Sequence, residues 1–562
     1  MKGGIVFGYE RLSEDKEKIY CVTDDTHSAV IGATRSGKTR CTVLQTIGVL
    51  GMADESMLIT DSKGEIFDYT SYFLENRGYD IRTLDFKDAK KSDRYNFLQP
   101  VIDAVNADDI QDAIDKAWDI TESLMPDNEK GEPIWKNGEA SIIASSILMV
   151  VIENKNKYMY QNLANVYRFI IQMAKSRTDE QGKYYILFEK LSEMIERKNP
   201  DHPARDILSI SEIAPNKTRS SFYTSALTTL RLFTNININS ITSDTNINLK
   251  DIGRKKVALY IILPDEKETY YSIASLFVHQ LYTSLVGQAD KIGGTLRQRV
   301  NFILDEFGNF TKIPNMDNKL TVSGSRNIRF NLFLQSFAQL DEKYGKEKSR
   351  IIRYNCENWL YIQTDDEETL KELSSRLGKY TTSSYSISEN SNPVSMTSSS
   401  VGSSMQLIGR ELLTPDEIKK ITRPYLLYLS RKLPAIMKCP DISLWNFNRL
   451  FAMGDKEHNK RLRFMKNSQR ETKIKEIKKV TYWNSILYEL EIYVISNKLN
   501  DLLNAQSQIK LAATSGNPKA VEILVNIESN ISKMKEKLND LNFKLELEEK
   551  NNNINLEKGE LI

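Results

Sequence analysis

Residues Gly32–Thr39 read GATRSGKT, which has the spacing G-x-x-x-x-G-K-[ST]. The two glycines of such a motif let the backbone curl, so that its N–H groups point at phosphate oxygens. Lys38 would reach the β- and γ-phosphates, and the Thr39 hydroxyl would be a ligand of Mg²⁺. The motif therefore predicts a binding site for ATP and Mg²⁺, formed by Gly32, Ala33, Thr34, Arg35, Ser36, Gly37, Lys38 and Thr39.

A second segment fits the same chemistry. Val300–Glu306 reads VNFILDE, a hydrophobic strand that ends in two acidic residues. Asp305 would hold Mg²⁺ through a water molecule, and Glu306 would polarise the water that attacks the terminal phosphate. Many strands end in acidic loops, so this pattern means little alone. Beside a P-loop it predicts hydrolysis of the bound nucleotide.

Two further residues are candidates by position. Gln335 directly follows the apolar segment Phe330–Leu334, and in a RecA-like sheet the strand next to the acidic one ends beside the γ-phosphate. An amide there can sense that phosphate, although an ordinary strand-end glutamine has the same appearance. Arg326 precedes the same strand. It is either an arginine finger that acts on a neighbouring subunit or a plain surface arginine.

The bulk composition excludes little. The chain has 562 residues and a formal net charge of +2, so any nucleic-acid surface must be a local basic patch. Its four cysteines form no CxxC pair and its four histidines show no ligand spacing, which fits a reducing cytosol without a zinc site. The longest apolar stretch, Ala140–Ile152, is shorter than the roughly 20 residues that span a bilayer. We therefore expect a soluble chain.

Short β-branched and aromatic runs, several separated by helical patterns, predict an α/β fold with a mostly parallel sheet. The predicted strands are Ser28–Ile31, Met57–Thr60, Ile81–Leu84, Val257–Leu263, Phe302–Leu304, Phe330–Leu334, Trp359–Gln363 and Leu426–Leu429.

Between about residues 103 and 245 no strand pattern is evident, and helical periodicity predicts an inserted all-alpha domain. Its predicted helices are Ile110–Leu124, Glu139–Glu153, Leu163–Ala174, Tyr184–Arg197 and Ser220–Leu232. The serine-rich segment Thr381–Met405 predicts a flexible loop. Strand patterns end after Trp445, where a basic stretch and long helical patterns predict a helical C-terminal tail.

The expected domain limits are therefore residues 1–102 for the first part of a nucleotide-binding domain and 103–245 for the helical insert. Residues 246–445 would be the second part of the nucleotide-binding domain. Residues 446–562 would be a basic, helical appendage, partly a short coiled coil or bundle arm.

Several segments, in this order and spacing, resemble the type IV coupling proteins, the TraG/VirD-type ATPases of conjugation and type IV secretion. They include GATRSGKT, ITDSKGEIFDYTSYFLENRGYDI, SDRYNFLQP, IWKNGEASIIASSIL, LPDEKETY, ILDEFGNFTKIPN, FLQSFAQLDEKYG, WLYIQTDDEETLKELSSRLGKYT and GRELLTPDEI. The resemblance covers about residues 1–445. It implies a RecA-like P-loop ATPase with an inserted all-alpha domain, assembled as a homo-hexamer that couples relaxase–DNA complexes to a membrane channel.

Carried over residue by residue, Lys38 and Thr39 match the Walker A pair, and Asp305 and Glu306 match the Walker B pair. Gln335 matches the family's glutamine after the next strand. In ITDSKGE, Asp61 and Lys63 match a DPKGE-type motif, with Ser62 where proline is common.

The resemblance also implies partners: DNA, expected to be single-stranded and bound to a relaxase, and the proteins of a type IV secretion channel. Family members carry transmembrane helices before the P-loop, whereas here the P-loop begins at residue 32. We therefore expect a cytoplasmic chain that a separate membrane subunit recruits to the cytoplasmic face of the plasma membrane. Two other functions stay open: a substrate receptor that binds ATP without translocation, and a P-loop kinase acting on a small molecule.

Overall fold

The computed structural model describes residues 2–125, 133–178, 184–264, 266–390, 400–432, 434–451, 456–515 and 517–557. The chain forms two compact units. The first consists of Met1–Asp93 and Ile247–Ile474, and the second of Arg94–Asn246 and Lys475–Ile562. Each unit is thus assembled from segments that are far apart in the sequence.

The strands in the described residues are, in chain order, β1 (Ile5–Arg11), β2 (Glu17–Val22), β3 (Ser28–Gly32), β4 (Ser56–Asp61), β5 (Asp80–Asp85), β6 (Ser176–Thr178), β7 (Tyr184–Ile186), β8 (Val257–Ile262), β9 (Val300–Leu304), β10 (Ile328–Leu334), β11 (Asn358–Gln363), β12 (Lys379–Asn390), β13 (Ser400–Glu411), β14 (Tyr425–Leu429) and β15 (Ala435–Lys438).

The α-helices in the same residues are α1 (Leu44–Met52), α2 (Glu65–Asn76), α3 (Gln99–Asn106), α4 (Ile110–Leu124), α5 (Pro133–Glu153), α6 (Leu163–Met173), α7 (Leu187–Lys198), α8 (Pro203–Glu212), α9 (Asn216–Leu230), α10 (Ile236–Thr242), α11 (Tyr271–Lys291), α12 (Met316–Val322), α13 (Ala338–Asn355), α14 (Glu367–Leu377), α15 (Pro415–Lys419), α16 (Lys456–Gln469), α17 (Ser485–Thr514) and α18 (Pro518–Glu557).

The first unit is built on a nine-stranded sheet with the order β15-β14-β11-β3-β10-β9-β4-β8-β5. The strands from β11 to β5 pair in parallel, whereas β14 and β15 pair antiparallel at one edge. Every residue of β3, β4, β8, β9 and β10 is buried, as expected for parallel strands covered on both faces. The predicted mostly parallel α/β fold is confirmed, and all eight predicted strands lie in this sheet.

A buried ionic network centred on Glu55, which precedes β4, lies where the amino ends of the parallel strands meet. We call this side of the sheet its amino edge and the other side its carboxyl edge. The Glu55 carboxylate accepts hydrogen bonds from the Gly3 N–H (2.8 Å) and from the Asn301 amide (3.0 Å). It also pairs with Arg299 (3.2 Å) and Arg329 (2.5 Å). Burial lowers the pKa of Arg329 to about 10, against the charge of Glu55, which acts to raise it. The network joins the N-terminal segment to β4, β9 and β10.

One expectation for the first unit is wrong. Thr381–Met405 was expected to be a flexible loop, but all of its described residues belong to a two-stranded antiparallel ribbon of β12 and β13. Its pairs run from Lys379 opposite Glu411 to Asn390 opposite Ser400. Serine content alone is misleading here because backbone pairing, together with alternating threonine, tyrosine and isoleucine, favours strands. The middle of the predicted loop, residues 391–399, lies outside the described residues.

The second unit is almost entirely helical and contains α3 to α10, α17 and α18. The predicted helix at 110–124 is found with the same ends, and those at 139–153, 163–174 and 220–232 are found with shifted ends. The expectation that this region lacks strands is wrong at one point. Tyr184–Ile186, predicted to begin a helix, pairs as β7 with Ser176–Thr178 instead. The helical C-terminal tail is confirmed, and α17 packs against α18.

The tail is divided between the two units. Residues 446–474, including α16, belong to the first unit, whereas residues from 475 onward belong to the second. A stacked pair of Phe169 and Trp483 (ring centroids 5.9 Å apart) and an ion pair between Arg177 and Glu491 (2.6 Å) tie the tail to the helices of the second unit. The linear domain limits expected from the sequence stay predictions. In the described residues no helix is long and apolar enough to cross a membrane.

The ionic network at the amino edge gives a stability prediction. Glu55→Gln leaves Arg299 and Arg329 buried without their shared counter-charge, and breaking a buried pair in this way costs about 3–5 kcal/mol. We expect the midpoint of thermal unfolding to fall clearly below that of the wild type. The control is Glu347→Gln, at an exposed position of α13. Equal midpoints for the two variants would contradict a structural role for the network.

Candidate active site

The loop after β3 has the backbone shape that its sequence predicts. Gly37 has φ 91°, in the left-handed region that favours glycine. A Cβ atom at Gly32 would lie 2.4 Å from Ser36 Oγ, so no side chain fits at the start of the loop. Helical structure begins at Thr39 and continues as α1, which aims the positive end of a helix at the loop. This is the cradle expected for phosphate groups.

Lys38 is held inside this loop. Its side chain is buried, and its Nζ donates a hydrogen bond to the Gly32 carbonyl oxygen at 2.5 Å. Ser36 Oγ is also buried and has no hydrogen-bond partner among the described residues. The loop therefore presents a cationic group and an unsatisfied hydroxyl, both of which a phosphate oxygen would satisfy.

Asp305 follows β9 and lies within the electrostatic reach of Lys38. Its pKa is raised to about 7, first by burial and then by the charge of Glu306, while the Lys38 charge acts to lower it. Its Oδ1 atom has no hydrogen-bond partner among the described residues. A buried, unpartnered carboxylate oxygen beside a phosphate cradle is the kind of group that suits a hydrated Mg²⁺ ion.

Glu306 and Gln335 meet at the same edge of the sheet. Glu306 has φ 53°, a turn that ends the strand. Gln335 Nε2 donates a hydrogen bond to Glu306 Oε2 at 3.3 Å. The backbone of Gln335 is held on both sides, because its N–H donates to Gln339 Oε1 (2.9 Å) and its carbonyl accepts from Thr364 Oγ1 (3.2 Å). The carboxylate and the amide thus form one unit.

Asp61, at the end of β4, stabilises the backbone that follows this strand. Its carboxylate accepts hydrogen bonds from the N–H groups of Lys63 (3.1 Å), Gly64 (2.8 Å) and Phe67 (2.8 Å), which fastens the start of α2. Burial raises the pKa of Asp61 to about 6, although these three hydrogen bonds act to lower it. Its charge also helps to raise the pKa of Asp305.

Arg326 is not brought to this edge. It lies in a turn before β10, at the opposite end of the strand from Gln335, and the seven residues of β10 span about 20 Å. Its Nη2 atom lies 3.6 Å from Asp290 Oδ1. A role for Arg326 at a neighbouring subunit stays a prediction.

Three residues beside the loop were missed by the sequence analysis. Arg40 makes a bidentate pair with Asp441, with distances of 2.6 and 2.7 Å. Although burial acts to raise it, this pair lowers the pKa of Asp441 to about 2. Arg423 lies against Gly37. No short-range pattern marks these contacts, because Asp441 and Arg423 lie far beyond the loop in the sequence. Arg40 directly follows the loop, and 401 positions separate it from Asp441.

The described residues contain no cluster of three or more His, Cys, Asp or Glu side chains that could hold a metal ion alone. Mg²⁺ bound to nucleotide phosphates needs fewer protein ligands, and Thr39 and Asp305 have suitable oxygen donors. Strand order, phosphate cradle and paired acids together define the class: a P-loop protein with a RecA-like α/β fold.

Comparison with known proteins then gives the family. The chain belongs to the type IV secretory system conjugative DNA transfer family, whose model matches residues 4–442. Protein VirD4 of Rhizobium radiobacter is 25% identical over 403 residues, covering 70% of this chain and 54% of that protein. Conjugal transfer protein TraG of Escherichia coli is 22% identical over 413 residues, covering 71% and 62%. The chain spans about half the length of the curated VirD4 relatives it matches.

Solved structures agree on the fold. The bacterial conjugative coupling protein TrwBdeltaN70 aligns with a TM-score of 0.55 at 15% identity, covering 75% of this chain and 86% of that one. TrwB in complex with the non-hydrolysable ATP analogue ADPNP aligns with a TM-score of 0.54 at 16% identity, covering 74% and 86%. The resemblance to coupling proteins expected from the sequence is confirmed at the level of family and fold.

The raised pKa of Asp305 gives a pH prediction. Below about pH 4 the carboxyl is protonated in the folded and the unfolded chain, so it costs nothing. As the pH rises towards 7 only the unfolded chain ionises freely, so folding stability is lost, and above pH 7 the full loss remains. Without nucleotide, we expect the free energy of unfolding of Asp305→Asn at pH 8 to exceed that of the wild type by about 2–4 kcal/mol, which raises its unfolding temperature.

This advantage should shrink as the pH falls towards 5, and thermal unfolding across that range measures it. The exposed Asp15 is the matched control, and Asp15→Asn should show no such trend. An Asp305→Asn variant that is less stable than the wild type at pH 8 would contradict a costly buried charge.

Proposed function

We propose that this chain is an ATP-hydrolysing coupling protein that links a relaxase–DNA substrate to a type IV secretion channel during conjugation. The observation that carries the ATPase part is the meeting of Lys38, Asp305 and the Glu306–Gln335 pair at the carboxyl edge of one sheet. The remaining part draws on the family to which the chain belongs and on the coupling and transfer proteins that it resembles.

In this proposal the N–H groups of residues 33–39 and the Lys38 ammonium bind the phosphates of ATP. The Thr39 hydroxyl oxygen would be a ligand of Mg²⁺, and Asp305 would hold the ion through a water molecule. The bound Mg²⁺ would neutralise charge on the phosphate oxygens. The protein TrwB has been solved with ADP and Mg²⁺, which supports the choice of cofactors.

Glu306 accepts the proton of the attacking water, as a carboxylate at this position can. Gln335 orients that carboxylate, because its amide donates to Glu306 Oε2 at 3.3 Å. The backbone of Gln335 accepts a hydrogen bond from Thr364, so a shift of the amide would be passed on to the segment after β11. Gln335 is thereby suited to relay the presence of the terminal phosphate.

For the assembly, we propose a homo-hexamer in which Arg326 completes the site of the next subunit, since head-to-tail contacts close into rings. The helical insert, residues 103–245, and the tail from 446 to 562 would add surfaces outside the nucleotide-binding parts, residues 1–102 and 246–445. The expected partners are single-stranded DNA with its relaxase, the proteins of the secretion channel and a separate membrane subunit. The complex would act at the cytoplasmic face of the plasma membrane.

The basic stretch 456–479 is a weaker candidate for DNA contact than its composition suggests. Arg470 pairs with the buried Asp85 at 2.9 Å, and Lys473 pairs with the buried Asp93. The Lys466 ammonium lies 3.7 Å from the ring centroid of Tyr72. These cations stabilise the first unit, so fewer remain to neutralise phosphates.

The ATPase proposal gives the next prediction. Lys38→Ala should remove ATP hydrolysis, and Glu306→Gln should keep ATP binding while slowing hydrolysis by about 10²–10⁴-fold, the usual contribution of a general base. Phosphate release, measured with and without single- and double-stranded DNA, should rise with single-stranded DNA for the wild type but stay low in both of these variants. The control is Glu347→Gln, which neutralises an exposed carboxylate of α13 instead. It should hydrolyse ATP like the wild type.

The same assay separates the alternatives. ATP binding without hydrolysis in the wild type would favour the receptor, and phosphate transfer to a small molecule would favour the kinase. Unchanged hydrolysis in Glu306→Gln would contradict the assigned role of Glu306.

The ring gives a separate prediction. Arg326→Ala and Lys38→Ala should each be inactive, because an arginine finger contributes about 10³–10⁵ in rate. Mixed rings should recover part of the hydrolysis, since some interfaces then contain both an intact Lys38 and an intact neighbouring Arg326. Assembled mixtures that show no recovery at any ratio would count against a role in trans.

A further inference from the structure

An arginine from the far end of the chain lies on the phosphate-binding loop. Arg423 stands between α15 and β14. A Cβ atom built on Gly37 would be 3.1 Å from Arg423 Nη1 and 3.2 Å from its Cδ. The guanidinium group therefore lies close to the loop at Gly37, the residue just before Lys38, where it would crowd any side chain.

The backbone around Arg423 is fixed to the same sheet as the loop. β14 pairs with β11, and β11 pairs with β3, the strand that leads into the loop. The Tyr425 N–H donates to the Thr422 carbonyl (3.0 Å), and the Cys439 N–H donates to the Pro424 carbonyl (2.7 Å). Arg423 is thus held in position by rigid elements rather than by a surface loop alone.

Within the described residues, the charge of Arg423 acts on the buried Cys41 thiol, where it opposes the rise in pKa that burial causes. The described residues provide no carboxylate within ion-pair distance of Arg423 and no hydrogen-bond acceptor for its side chain, which is exposed. The contrast is Arg40, three residues after Gly37, whose guanidinium is paired bidentately with Asp441. A planar guanidinium with five free donors suits phosphate oxygens.

We propose that Arg423 binds the phosphate chain of the nucleotide in its own subunit, as a second cation beside Lys38. This inference rests on the proposed nucleotide-binding function and adds a residue to that site. It differs from the role proposed for Arg326, because Arg423 acts in cis and from the segment just before the antiparallel strand β14. The ligand chemistry is a nucleoside di- or triphosphate, since a monophosphate would place little charge along the loop.

The test is to measure the equilibrium binding of MgATP and MgADP to the whole chain by calorimetric titration. Arg423→Ala and Arg423→Gln should each weaken binding by about tenfold or more, which is typical for loss of a charged hydrogen bond. Arg423→Lys should recover part of the affinity, because it restores the charge but not the planar fork. A role in packing alone would instead be rescued as well by glutamine as by lysine, and that result would overturn the proposal.

The control is Arg431→Ala, beyond the other end of β14, where Arg431 is exposed and lies 3.3 Å from Glu357. It should bind both nucleotides like the wild type. Thermal unfolding without nucleotide verifies that each variant is folded; if Arg423→Ala is not, the comparison of lysine with glutamine decides. If the wild-type protein binds no MgATP, the proposed function itself is contradicted. Binding that depends on Lys38 but is the same in all Arg423 variants would overturn only the role of Arg423.

Discussion

Burial of the Asp305 carboxylate in the electrostatic field of Lys38 is the constraint on which the site depends. Moving either charge out of water is expensive, and their attraction offsets this only in part. The pKa of Asp305 is still raised to about 7, because burial and the charges of Glu306 and Asp61 outweigh the nearby lysine. A divalent cation held at this edge would relieve the excess negative charge. The parallel strand order is needed, since it brings the ends of β3, β4, β9 and β10 together.

Buried polar groups are satisfied by protein partners at the amino edge of the sheet but not at its carboxyl edge. At the amino edge, Glu55 is matched by Arg299, Arg329 and further donors, so its charge is satisfied within the chain. At the carboxyl edge, Asp305 Oδ1 and Ser36 Oγ have no partner among the described residues. Satisfied networks give rigidity, whereas unsatisfied buried groups mark places where a ligand completes the structure. The network at the amino edge therefore keeps the strands fixed, and these strands position the unsatisfied groups at the carboxyl edge.

Much of the fold and of the candidate site could be predicted from the sequence. The loop at Gly32–Thr39 and the acidic end of β9 have local patterns, and the eight predicted strands show as β-branched or aromatic runs. Gln335 could be predicted because strand adjacency follows from the fold class. The long-range pairs could not, since Arg40 with Asp441 and Arg423 with Gly37 join segments without any shared periodicity. The ribbon of β12 and β13 was missed because its serines suggest a loop. The Arg470–Asp85 pair was missed because 385 positions separate its two residues.

The central claim is that the loop and the buried carboxylate form one metal-dependent nucleotide site. The most direct measurement is a crystal structure of the protein grown with ADPNP and Mn²⁺, in which anomalous scattering locates the metal. The account predicts phosphates cradled by Gly32–Thr39, with the metal about 2.1 Å from Thr39 Oγ1 and linked to Asp305 through a water molecule. Nucleotide bound elsewhere, or a metal that contacts neither Thr39 nor the hydration shell of Asp305, would contradict it.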